Sequence, residues 1–195
     1  MYVYATEGGD EVDALRGSSH RYPAETTITV SHGDGCVAER WDAIEERWDE
    51  RVTCRTTKGD ELRRFTAYHE FFGQGDKRSM ECDGYAYLAS AKPGDSWTSR
   101  CWSEDGTATS KLTVVGWENV AVAGEKIKTL HIRVVTTVEG GPTGRSVKDV
   151  WGLAETGLTV REVSELDSDG TEPVIGRVHY HERYELNLTS LRPRT

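Results

Sequence analysis

No stretch of this chain approaches the roughly 18 consecutive apolar residues needed to span a bilayer as a helix, which excludes a transmembrane helix within it. No leader is expected in Met1-Tyr2-Val3-Tyr4, which runs directly into polar residues with neither a basic start nor an apolar core. Either the protein is cytosolic, or the sequence begins just after a leader or anchor. No CxxC is written, so a zinc knuckle or thioredoxin-type pair is not expected. GxSxG, GxxxxGK[ST] and GxGxxG are absent, which removes the usual signatures of a serine hydrolase and of nucleotide binding. No twelve-residue calcium loop can be assembled from the many Gly-Asp and Asp-Gly pairs, and no repeat of fixed period is visible. No cofactor is expected.

Basic residues are in deficit. Lys and Arg number 24 against 33 Asp and Glu, for a net charge of −9, and phosphates would repel such a surface, so a nucleic-acid partner is not expected. Length and composition suit one all-β domain over 1–195: at 195 residues two domains would each be small, and no linker separates them.

What is present is a succession of strand patterns. From Pro93 to Glu162, four or five runs rich in β-branched residues follow one another across short Gly-containing turns, so sequence neighbours should be sheet neighbours. Lys126–Val138 alternates, with Leu130, Ile132, Val134 and Val138 inward. In Gly176–Leu188, Val178, Tyr180, Tyr184, Leu186 and Leu188 face one way, and Arg177, His179, His181, Arg183, Glu185 and Asn187 the other. Leu62–Phe72 places Phe65, Ala67, His69 and Phe71 together. Loops are expected over Glu7–Pro23 (with at most a helical turn near Val12–Leu15) and over Gly73–Arg78, and a turn over Asp167–Gly170. Val37–Cys54 is ambiguous, since Trp41, Ile44, Trp48 and Val52 also sit at helical spacing; a hairpin turning near Asp42–Arg47 is favoured because it sets Cys36 opposite Cys54. Ten to twelve antiparallel strands with little helix make a strongly curved sheet or open barrel, a clam-like meander.

Cys36, Cys54, Cys82 and Cys101 form an even set, which suggests two disulfides and an oxidising, extracytoplasmic compartment. Buried free thiols in a cytosolic protein are the alternative. Of the three pairings, Cys36–Cys54 with Cys82–Cys101 is favoured because each staples adjacent strands and closes a short loop, contributing roughly 3 kcal/mol.

The runs PGDSW (Pro93–Trp97), VVGWENVAVAGEKIKTLHI (Val114–Ile132) and DVWGLAETGLTVRE (Asp149–Glu162) resemble bacterial exported proteins of a domain-of-unknown-function class. There a G-x-E-x-V-x-V-x-G hairpin precedes a W…G-L strand pair. YPAETTITVSHGDGC (Tyr22–Cys36) and HEFFGQGD (His69–Asp76) are similar to uncharacterised actinobacterial proteins carrying an N-terminal anchor or leader. The resemblance implies a curved sheet like the clam-like, LolA-like sheets of periplasmic lipoprotein carriers, and an extracytoplasmic location. It brings no catalytic residues.

His179 and His181 form an HxH on one strand, with His131 or Glu185 as a conceivable third ligand, but they alternate with solvated residues and no metal site is expected. His69 and Glu182 both sit on apolar faces; as a pair in one cavity they would make an acid–base couple, and as core residues Glu182 needs an arginine or tyrosine across the sheet. Six tryptophans, at 41, 48, 97, 102, 117 and 151, either fill the core or line a concave ligand face. The leading expectation is a non-enzymatic extracytoplasmic binding protein. Its ligand would be a lipid or other hydrophobic small molecule held by Trp97, Trp117, Trp151, His69 and Glu182, or its partner a cell-envelope component. The alternatives are a metal-dependent or acid–base enzyme using His69, His179 and His181, and a structural ectodomain of an anchored protein.

Overall fold

The computed structural model describes residues 1–13, 17–172 and 176–194. Fourteen strands and no helix occur among them: β1 (Tyr2–Asp13), β2 (Ser18–Arg21), β3 (Glu25–Gly33), β4 (Cys36–Ile44), β5 (Arg47–Arg55), β6 (Gly59–Phe71) and β7 (Gln74–Asp83). Then come β8 (Tyr85–Leu88), β9 (Ser96–Ser103), β10 (Gly106–Val122), β11 (Glu125–Gly140), β12 (Thr143–Gly152), β13 (Thr159–Glu172) and β14 (Gly176–Leu188). Every pairing is antiparallel, and most join chain neighbours across short turns, as the Gly-punctuated strand runs require. Among the described residues no helix is long and apolar enough to cross a membrane.

The sheet closes on itself. β1 pairs with β14 over ten residues, from Tyr4 opposite Leu188 to Asp13 opposite His179, so twelve strands form a ring. β2 lies beside β1, and β8 beside the start of β6. The open barrel read from the sequence is therefore a closed one. Closure satisfies the N–H and C=O groups that two free edges would leave without partners.

Much of two expected loops and the whole of one expected turn are strand. Residues 7–13 continue β1 and Ser18–Arg21 form β2; Gln74–Arg78 belong to β7, and Asp167–Gly170 to β13. Val12 and Asp13 are extended rather than helical, while Ala14 and Leu15 lie outside the described residues. In each case a neighbouring ladder supplies the backbone partners that override a polar, Gly-bearing composition. Val37–Cys54 is the hairpin, turning at Glu45–Glu46 with Cys36 directly opposite Cys54.

Alternation decides what fills the ring. Tyr4, Trp41, Val160, Tyr184, Leu186 and Leu188 form the main buried cluster, and Leu112, Val114, Leu130 and Ile132 a second. Each such side chain contributes about 1.5–3 kcal/mol on leaving water. Both disulfides join directly opposed residues, each with a Cα–Cα distance of 4.0 Å. Cys82–Cys101 is buried on the inner face, whereas Cys36–Cys54 is half-buried on the outer one.

Candidate functional site

Charged residues also point into the lumen. On β5 the inward positions are Arg47, Asp49 and Arg51; on β14 they are Tyr180, Glu182 and Tyr184. Glu182 accepts from Arg47 Nε at 2.7 Å and Nη2 at 3.2 Å, and Tyr22 donates its hydroxyl to Glu182 at 2.5 Å. The sequence expectation of an arginine or tyrosine partner is met by both. Arg47 also donates to Asp49 at 3.2 Å and lies over the Trp41 ring, 5.2 Å from its centroid. Burial pushes the Glu182 carboxyl up, but the Arg47 charge and hydrogen bonds outweigh it and leave the pKa at about 2.

His69 stands opposite Arg47 across β5 and β6, edge-on to Tyr180 at 5.0 Å. Burial, then the Arg47 charge, push its pKa down to about 3, so the imidazole is neutral. His69 Nδ1 and Arg47 Nη1 are buried atoms without a hydrogen-bond partner among the described residues. Nearby, His20 Nδ1 lies 2.8 Å from Asp10, whose carboxyl burial pushes up.

Further along the lumen, Lys148 Nζ donates to Glu162 at 2.9 Å and to the Tyr184 hydroxyl at 2.9 Å, and Tyr184 donates to Glu162 at 2.7 Å. Burial alone would raise Glu162; the Lys148 and Arg51 charges reverse that and lower it.

At the end of the ring bounded by the 153–158 loop, these networks give way to a cavity of about 260 Å³. One wall is apolar: Leu130 and Ile132 of β11, Val150 of β12, Tyr87 of β8, and Leu153 and Leu158 of the loop. The other wall carries Glu39, Arg51, Arg55 and Asp60. Arg51 donates to Glu39 at 2.7 Å and to Thr159 at 3.1 Å, and Arg55 pairs with Asp60. A shallower groove of about 620 Å³ lies over Gly8 and Gly9, rimmed by Glu7, Glu11, Arg21, Arg183 and Glu185.

The residues expected to bind a ligand are dispersed. Trp97 packs against the Leu112 cluster and donates to the Tyr85 carbonyl at 2.8 Å. Trp151 lies on the outer wall, stacked on His131 at 4.3 Å and donating to Glu118 at 2.8 Å. Trp117 is exposed, with the Lys128 ammonium 4.8 Å from its ring. His69 and Glu182 are brought to one end of the lumen, with Arg47 between them, and neither lines the cavity.

His69 shares the inner face with Tyr180, so His179 and His181, which alternate with Tyr180, stand on the opposite side of the wall. They pair with Asp169 at 3.2 Å and Asp167 at 2.8 Å. The three histidines do not converge. His131 is elsewhere, its ring nitrogens 2.8 Å from Glu118 and 2.6 Å from Asp149. Among the described residues no group of three or more His, Cys, Asp or Glu side chains is arranged to hold a metal ion.

Glu39, Arg47 and Arg51, which organise the lumen, were missed. The signal for the two arginines is the charged alternate of β5, Arg47-Asp49-Arg51, set against the apolar Trp48, Val52 and Cys54 that face outward.

No family model and no curated protein matches the chain. Among solved structures, the crystal structure of the hypothetical lipoprotein YmcC from Escherichia coli (K12) is similar over 91% of this chain and 86% of that one. The identity is 15% and the TM-score 0.39, a likeness too low to carry a conclusion about function.

Proposed function

We propose that this chain is a non-enzymatic, extracytoplasmic binding protein of one β domain, and that it takes a small amphiphilic ligand into the lumen cavity. The observation that carries the reading is the cavity itself, with an apolar wall of β8, β11 and β12 facing a wall that bears the Glu39–Arg51 and Asp60–Arg55 pairs. Such a site orients a molecule with one greasy and one hydrogen-bonding side. At about 260 Å³ it falls below the range of roughly 300–1,000 Å³ that holds drug-sized ligands, so a single short chain or ring fits and a two-chain lipid does not.

Two features support binding over catalysis. The lumen carboxylates Glu182, Glu162 and Glu39 are each tied to a cation, and the histidines of the enzyme reading lie on two sides of the wall. Both disulfides are compatible with an oxidising location.

Native mass spectrometry of protein purified without denaturation, followed by titration with octylamine and octanoate, tests the reading. A retained small molecule, or a rise in melting temperature with either probe, is expected. Repeatedly empty protein that neither probe stabilises contradicts it.

A further inference from the structure

The ring is not held equally all round. Among the described residues, β7 and β9 share three register pairs, Glu81 with Trp102, Cys82 with Cys101 and Asp83 with Arg100. The next shortest junction, β1–β3, has four, but β2 continues it along the same side of β1. The other ten junctions run from seven pairs in β3–β4 to sixteen in β10–β11. Above the short seam, Gln74–Met80 of β7 pair with β6 alone, and Asp76, Lys77 and Arg78 supply the charges that keep such an edge from recruiting other strands. Below it, Gly84 takes φ 103° and lets the two backbones approach: a Cβ there would stand 2.8 Å from Ser99 Cα.

The middle pair of the seam is the disulfide Cys82–Cys101. We propose that this bond is the latch of the barrel, so that ring closure is coupled to oxidation: the reduced chain is a curved sheet open between β7 and β9, and the oxidised chain a closed ring. In closing, the two thiols give up two protons and two electrons to a disulfide oxidant, which leaves as two thiols. Cys82 and Cys101 are 7% and 8% exposed, so a soluble thiol reaches the finished bond only after the seam has parted. The latch is thus set once, on oxidation, and persists. Cys36–Cys54 has a different place, because the β4–β5 hairpin it crosses has eight register pairs to hold it. Oxidation state would then decide whether the lumen is reachable from the side.

Amide hydrogen exchange read by mass spectrometry on three proteins tests this: wild type, C82S/C101S and C36S/C54S. In C82S/C101S, amides of 81–88 and 98–102 should exchange at least tenfold faster, with β12–β14 unchanged. C36S/C54S should leave the seam at the wild-type rate. Three results overturn the proposal: wild-type seam protection in C82S/C101S, equal opening in both variants, or loss of β12–β14 protection together with the seam, which would make the bond a support of the whole fold. Reduced wild-type protein reoxidised with glutathione disulfide gives an independent reading. Seam protection should appear with the Cys82–Cys101 bond, and its appearance beforehand counts against the latch.

Discussion

Arg47 and Glu182, 135 residues apart in sequence, meet inside the barrel at 2.7 Å with both side chains almost wholly buried. The pair ties β5 to β14 across the lumen rather than along the sheet. Neither charge can be left alone there, because desolvation is compensated only by the partner. Glu182→Gln is therefore expected to cost about 3 kcal/mol in urea unfolding, Asp49 retaining part of the compensation for Arg47. The double variant Arg47→Met, Glu182→Leu should lose less than the sum of the two single changes. Strict additivity in that cycle would remove the pair from the account.

The pH dependence has two windows of the same sign. His69 has a folded pKa of about 3 against 6.5 for the free side chain, so between those values the unfolded chain binds a proton that the folded one refuses. Stability then falls with acid by up to about 1.4 kcal/mol per pH unit from this group alone. Glu182, at about 2 against 4.5, contributes stability that is complete above 4.5 and disappears as pH falls toward 2. His69→Phe should match wild type near pH 7, since Nδ1 makes no hydrogen bond, and should flatten the curve between about pH 6 and 4. An unchanged slope would show that His69 is not the titrating group.

Much of the wall was legible in the residues, because β11 and β14 alternate apolar with polar side chains and because Cys36 and Cys54 imposed one register on the β4–β5 hairpin. Ring closure was not. The part of β1 that pairs with β14 includes Glu7, Gly8, Gly9 and Asp10, a composition with no strand signal, and its partner lies at the far end of the chain. The need of Glu182 for an arginine or tyrosine followed from its apolar neighbours, but which ones answered it depended on contacts 135 and 160 residues away. The tryptophans misled in another way. A barrel that turns Arg47, Asp49 and Arg51 toward its lumen turns Trp48 outward beneath Arg40, so size alone says little about which face a residue takes.

The Cys36–Cys54 bond closes a loop with a sequence separation of 18, worth about 3 kcal/mol by restriction of the unfolded chain. C36S/C54S should lower the unfolding free energy by about that amount while near-ultraviolet dichroism keeps its native shape. A native-like melting temperature for this variant would mean that the hairpin's own eight pairs suffice.

The central claim is that the lumen cavity is where a ligand sits. Ala154 lines that cavity from the 153–158 loop and belongs to no strand, so Ala154→Trp fills the space without disturbing the wall. Native mass spectrometry of the two proteins, purified side by side, is the direct measurement. The prediction is a small molecule retained by wild type and missing from a folded Ala154→Trp; equal retention by both would place the ligand elsewhere and contradict the claim.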